Sequence, residues 1–446
     1  MTKRHGYALL SAIVALIVVL SAALYIGVAS DDGGGESSGN TFSGPRAPHN
    51  SAAPASTGVW VGSWSASPVG GEPGTETDGL AGRSLRNVVH TTVGGTSARI
   101  TLSNLYGQSP LTITHASIAV AAGTHTAEAI METMRRLTFG GNTAVVIPAG
   151  RQVLSDTVAL RIPADRDVLV TTYSPAPSGS VTYHPRARQI SYAAQGDRTE
   201  DATGTAYTER TEYWRYLTAL DVLSDEAEGT VVAFGDSLTD GLRSTENANR
   251  RWPDLLSDRL HTAIRSGADV PRYSVVNQGI GGNQVLADGL GRPAENQAGV
   301  SRFARDVLGR TNVKVVVVDL GINDILRNRR LTGPDQVLAG LRTLVGQAHA
   351  RGIKVIGATL MPFDGHRGYS AARENIRRGI NAGIRAGRVY DAVVDFDQAV
   401  RDPYDPRRLR ADYDSGDHLH PSDKGYERMA QAFDLDLLKG SAQARL

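Results

Sequence analysis

The chain predicts an all-β sandwich or jelly roll followed by an α/β domain built on a parallel sheet. Two observations lead there. Between about residues 58 and 195, apolar residues alternate with polar ones in short runs broken by turns. From 229 to 440, short continuous apolar runs alternate with helix-length amphipathic segments. Residues 196–228 read as a connecting segment between the two. A length of 446 residues accommodates two domains plus tails, and 41% hydrophobic with 21% charged residues suits globular cores.

At the N-terminus, Lys3, Arg4 and His5 precede an apolar stretch from Tyr7 to Ala29. At 1.5 Å per residue it is long enough to span a bilayer of roughly 30 Å. The basic residues before it and Asp31-Asp32 after it favour an orientation with the C-terminal side outside. Residues 1–29 are therefore expected to be a signal peptide or signal anchor. The length favours an anchor, while Gly27-Val28-Ala29 offers small residues for a cleavage site. The protein is expected to be secreted or membrane-anchored, meeting the membrane only through this segment. Residues 30–57 are mostly Gly, Ser, Pro and Ala with few large apolar side chains, and read as a disordered linker.

In the β region, Ala98-Arg99-Ile100-Thr101-Leu102-Ser103, Thr157–Ile162 and Asp167–Thr171 show period two, with Gly94-Gly95, Gly140-Gly141-Asn142 and Pro163 as turns. Trp60 and Trp64, four apart on an alternating strand, are expected on one face and in the core. In the second region the apolar runs are Val231–Phe234, Tyr273–Val276, Val313–Val318, Val355–Leu360 and Ala392–Phe396. Between them lie Trp252–Ile264, Pro334–Ala350 and Ser370–Ala386, with a last helix after Pro421. Continuous rather than alternating strands imply burial on both faces, hence a parallel sheet of about five strands wrapped by helices.

A formal charge of +1, from 47 basic and 46 acidic residues, gives no sign of a polyanion-binding protein, and no nucleic-acid partner is expected. The absence of cysteine removes thiol nucleophiles, disulfides and cysteine-based metal sites. No cofactor and no metal are expected.

Ligands of open parallel sheets bind beyond the carboxyl ends of the strands. The residues there are Gly235-Asp236-Ser237-Leu238 after the first run, Asn277–Asn283 after the second and Asp319–Asp324 after the third. The loop after the fifth ends in Asp417-His418-Leu419-His420. These stretches resemble, in order, the four blocks of the GDSL, or SGNH, hydrolase family. The second block falls on Gly281 or Gly282, and Gly321-Ile322-Asn323-Asp324 is the third. The resemblance covers roughly residues 229–438. It implies a flavodoxin-like hydrolase domain, and exported members of the family often carry an N-terminal β-domain opening on a strand like Trp60–Trp64.

The chemistry agrees with the resemblance. A serine hydroxyl needs a base, and His420 can take the Ser237 proton. Asp417, three residues earlier, can fix the imidazole tautomer and stabilise the imidazolium. The backbone N–H groups of Ser237 and Gly282 and the side-chain amide of Asn323 can form an oxyanion hole. Each stretch taken alone has a plainer reading. Ser237 could be a helix N-cap, Gly279–Gly282 a turn and Asn323 an Asx-turn residue. The acidic and histidine cluster of Asp414, Asp417, His418 and His420 could ligate a metal, but that leaves Ser237 and the oxyanion donors unexplained. Arg327-Asn328-Arg329-Arg330 reads as a solvated helix start, or as a site for an acidic group.

The expected function is an extracytoplasmic serine esterase acting on short-chain acyl esters of small molecules or polysaccharides; the family resemblance implies deacetylation of a carbohydrate or cleavage of small lipid esters as its task. A polysaccharide-binding surface protein, or an O-acyltransferase using the same residues, are the alternatives.

Overall fold

The structure is a computed structural model, and it describes residues 58–289, 295–327 and 332–442. The expected signal segment at 1–29 and linker at 30–57 lie outside the described residues. No described helix is long and apolar enough to cross a membrane.

The N-terminal region consists mainly of two antiparallel sheets. One has the order Val59–Ser65, Leu217–Ser224, Gly95–Ser103, Val158–Ile162. The other runs Glu209–Thr211, Ser191–Gln195, Arg83–His90, Asp167–Ser174, His115–Val120, Arg135–Arg136. Alternation turns Val61, Ile100, Leu220 and Val222 of the first sheet and Val89, Ile118, Val168 and Val170 of the second into one buried core. This is a β-sandwich.

Two sequence expectations need correction. Residues 196–228 are no mere connector, because the strand Leu217–Ser224 pairs with Val59–Ser65 on one side and Gly95–Ser103 on the other. A register shift between Leu217 and Ala219 breaks the alternation that would have marked it. Trp60 and Trp64 do not share a face. A bulge between Gly62 and Trp64 moves the register by one, so Trp64 packs in the core edge-on to Trp214 at 4.9 Å. Trp60 lies under the Arg99 guanidinium instead, 4.4 Å from ring centroid to Cζ.

The second region holds a parallel sheet of five strands: β1 (Gly229–Gly235), β2 (Tyr273–Gly279), β3 (Val313–Asp319), β4 (Lys354–Ala358) and β5 (Ala392–Val394). Their order is β2-β1-β3-β4-β5, the doubly wound arrangement of flavodoxin-like folds. Val231 to Phe234 and Val315 to Val318 are fully buried, as strands covered by helices on both faces must be. The main helices are α1 (Ser237–Asp240), α2 (Trp252–Arg265), α3 (Ile322–Leu326), α4 (Pro334–His349), α5 (Ala371–Arg385) and α6 (Asp423–Ala432). Ser370 caps α5 by accepting from the Arg373 N–H, and Ser422 caps α6 through the Gly425 N–H.

The sandwich rests directly on the edge of this sheet. The Gly62 N–H donates to Thr230 Oγ1 at 3.1 Å, and a side chain at 62 would press on Val276. Arg302 is the polar centre of the contact and has no exposed surface. It donates to the carbonyls of Gly235 (2.8 Å) and Gln278 (2.9 Å), to Ser67 Oγ (3.1 Å) and to Asn283 Oδ1 (3.0 Å). It also pairs with Asp306 at 3.0 Å. Burial pulls its pKa down to about 10 against the opposing pull of Asp306. One cation thus ties the ends of β1 and β2, the following loop and the sandwich together.

Candidate active site

β1 ends at Gly235, and Asp236 turns the chain into the single-turn helix α1. Asp236, rather than Ser237, is the N-cap: its carboxylate accepts from the Leu238 N–H at 3.0 Å. Ser237 is therefore not used as a cap, and its hydroxyl is free for another partner. That partner is His420, with Oγ to Nε2 at 2.8 Å. The other ring nitrogen, Nδ1, meets Asp417 Oδ2 at 2.9 Å. Asp417 Oδ1 accepts the backbone N–H groups of Leu419 (3.1 Å) and His420 (2.9 Å). This local loop fixes the carboxylate under the ring. Partial burial alone would raise the Asp417 pKa, but hydrogen bonds from the His420 ring and backbone hold it well below the usual carboxylate range. The Asp417 carboxylate is thus favoured in its charged form beside the imidazole. Ser237 and His420 are 6% and 9% exposed, so their contact is largely shielded from water.

His418 does not join this line. Its Nδ1 meets Asp414 Oδ2 at 2.6 Å, and Asp414 also accepts the His418 and Gly416 N–H groups. The cluster that suggested metal ligands is thus divided into two separate Asp–His pairs. Among the described residues, no group of three or more His, Asp or Glu side chains is placed to hold a metal ion.

Asn323 sits in the first turn of α3 with both ends of its amide fixed. Nδ2 donates to Asp236 Oδ2 at 3.0 Å, and Oδ1 accepts from Arg327 Nε at 3.1 Å. An amide nitrogen carries two hydrogens, so one remains for a ligand. Of the two candidate glycines, only Gly282 has a left-handed backbone, φ 78°. A side chain there would also collide with the Arg327 guanidinium. Asp324, beside Asn323, accepts the N–H groups of Val285 (2.7 Å) and Leu286 (3.1 Å) and so anchors the loop that follows Gly282. Among the described residues, the N–H groups of Ser237 and Gly282 have no hydrogen-bond acceptor. These are unpaired donors at the strand ends, as an oxyanion site requires.

Three supporting residues have no role at the site in the sequence expectations, where His184 reads as structural or solvent-exposed. Asp319, the last residue of β3, accepts from Thr239 Oγ1 at 3.1 Å and is buried with Asp236. Burial, and for Asp236 also the Asp319 charge, raises both carboxyl pKa values. His184 of the sandwich is the second: its Nε2 meets Asp240 Oδ1 at 3.0 Å, while its Nδ1 bonds the Ser67 carbonyl at 2.7 Å. Arg302 is the third. An aspartate that ends a buried strand was the available signal for Asp319; His184 and Arg302 lie in stretches with no motif.

A hydroxyl, an imidazole and a carboxylate stand in one hydrogen-bonded line at the strand ends of a doubly wound sheet, the arrangement in which a serine can act as a nucleophile. Residues 233–428 match the family model described as the GDSL-like Lipase/Acylhydrolase family, so this part of the chain is similar to that family and to its ester-bond hydrolases. The chain is also similar to solved structures, among them a lipase/acylhydrolase from Enterococcus faecalis (22% identity, 46% of this chain and 93% of that one, TM-score 0.35). A carbohydrate acetylesterase from Sinorhizobium meliloti is another (17% identity, 46% and 96%, TM-score 0.35). A third is a member of the lipolytic G-D-S-L family from Veillonella parvula (18%, 46% and 96%, TM-score 0.33). No curated protein matches the chain.

Proposed function

We propose that the protein hydrolyses short-chain carboxylic esters of polar alcohols, carbohydrate acetates among them, through an acyl-enzyme on Ser237. The hydrogen-bonded line from Ser237 through His420 to Asp417 carries this reading. His420 Nε2 takes the hydroxyl proton as Oγ attacks the ester carbonyl, and Asp417 stabilises the imidazolium. The N–H groups of Ser237 and Gly282 and the free Asn323 amide hydrogen receive the developing oxyanion. His420 then protonates the departing alcohol. Water, deprotonated by the same ring, releases the acid.

The preference for short acyl groups is supported by the side chains next to this line. Arg243 approaches Asp417 with Nε at 3.4 Å from Oδ2, and Arg327 lies over Gly282. Such charged and polar neighbours suit a polar alcohol better than a long acyl chain. The apolar stretch at Tyr7–Ala29 supports action outside the cytoplasm, with the chain either exported or held by that segment. The test is turnover of p-nitrophenyl esters from acetate to palmitate by the chain and by Ser237→Ala. Turnover of acetate and butyrate, lost in the variant, is expected. Turnover that survives in Ser237→Ala contradicts the assignment, and a preference for palmitate contradicts the short acyl group.

A further inference from the structure

Arg186 belongs to the sandwich, yet it stands at the rim of the hydrolase site. A methyl group placed on Gly281 would lie 3.8 Å from a guanidinium nitrogen of Arg186. At Gly282, the guanidinium of Arg327 covers the α-carbon so closely that no side chain fits. The two cations thus both lie beside the glycine pair that carries one of the proposed oxyanion donors. Both are exposed. Neither has a carboxylate partner within ion-pair distance among the described residues, and Arg186 has no hydrogen bond there either. The nearest carboxylate to Gly281, that of Asp240, is already paired with His184 at 3.0 Å.

The segment that presents Arg186 is held in an unfavourable backbone conformation. Arg186 and Arg188 have φ values of 54° and 53°, in the left-handed region that non-glycine residues avoid. The conformation is fixed from both sides. The Ala187 N–H donates to the Glu212 carbonyl at 2.8 Å within the sandwich. On the hydrolase side, the Arg188 guanidinium bonds the Ser244 carbonyl. The Asn247 N–H donates to the Arg188 carbonyl at 2.8 Å, and Asn247 Oδ1 accepts from the Ile190 N–H at 2.6 Å. Strain kept in place by hydrogen bonds to the segment just after the nucleophile marks a position with a task.

We propose that Arg186 selects substrates whose alcohol part carries an oxyanionic group, such as a carboxylate, sulfate or phosphate, with Arg327 adding to the field. This rests on the esterase reading. When the acyl group is short, a side chain at the rim meets the alcohol part, and a guanidinium binds such anions through paired N–H donors. The sandwich thereby becomes part of the substrate site as well as its support.

The test compares two nearly isosteric acetates, 3-acetoxybenzoate and 3-acetoxybenzamide. The ratio of their kcat/KM values is measured in the wild-type chain, Arg186→Gln and Arg186→Lys, at low and high salt. The expected result is a ratio favouring the benzoate that falls about tenfold in Arg186→Gln and at high salt, with partial recovery in Arg186→Lys. A ratio that is the same in wild type and Arg186→Gln overturns the proposal, while loss of both activities in Ser237→Ala still upholds the esterase. If neither acetate is turned over, the esterase reading is decided by the p-nitrophenyl series above. The arginine is then read by calorimetric binding of 3-acetoxybenzoate against the benzamide to Ser237→Ala: a preference lost on adding Arg186→Gln supports it, and equal binding overturns it.

Discussion

His184 of the β-sandwich holds Asp240, three residues after Ser237, with Nε2 and Oδ1 3.0 Å apart. Both side chains are buried, and the far ring nitrogen is bonded to the Ser67 carbonyl. Removing the ring leaves a buried carboxylate and a buried carbonyl short of a partner, which costs about 1–3 kcal/mol each. His184→Ala is expected to lower the melting temperature by several degrees. It should also reduce kcat, because α1 loses its brace; thermal denaturation and ester turnover on the same sample check both.

The Asn323 amide is already oriented by Asp236 and Arg327, so its contribution to the transition state should be that of a preorganised donor. Asn323→Ala is expected to lower kcat by about 10²–10³ with a small change in KM. Steady-state kinetics on p-nitrophenyl acetate decide it. A KM effect with unchanged kcat would make Asn323 a ground-state binding residue.

Asp236 and Asp319 give the stability a pH dependence with a definite sign. Burial raises their pKa values in the folded protein, whereas in the unfolded chain they ionise near the ordinary value of about 4. Above that pH the folded state binds more protons than the unfolded one, so this pair makes stability fall as pH rises from about 4 towards neutrality. Asp319→Asn is expected to flatten that slope. Melting curves between about pH 4 and 8 for both proteins measure it, and parallel curves would refute it.

Arg302 ties β1, β2 and the sandwich together through five polar contacts. Arg302→Met leaves Asp306 without its fully buried partner, although Arg305 still reaches it at 2.6 Å. A loss of about 3–5 kcal/mol in unfolding free energy is expected, with activity falling alongside. Urea denaturation gives the number.

Much of the hydrolase half was legible because its signals are local. Continuous valine runs mark strands buried on both faces, and the residues after each strand are the ones the sheet gathers at one edge. Ser237, Asn323, Asp417 and His420 could therefore be named before any contact was known. The remainder depends on partners distant in sequence. Leu217–Ser224 is recognisable as a central strand only through its neighbours at Val59–Ser65 and Gly95–Ser103. The bulge that separates Trp60 from Trp64 leaves no periodic trace. His184 and Arg302 become important only when the sandwich meets the sheet, and no spacing within one segment encodes that meeting.

The most direct test of the central claim is to trap the acyl-enzyme. The chain is mixed with p-nitrophenyl acetate, quenched with acid before the steady state, and its peptides are weighed by mass spectrometry. The account predicts one acetyl group on Ser237, and none on the same peptide from Ser237→Ala. Turnover without any acetyl on Ser237 would contradict it.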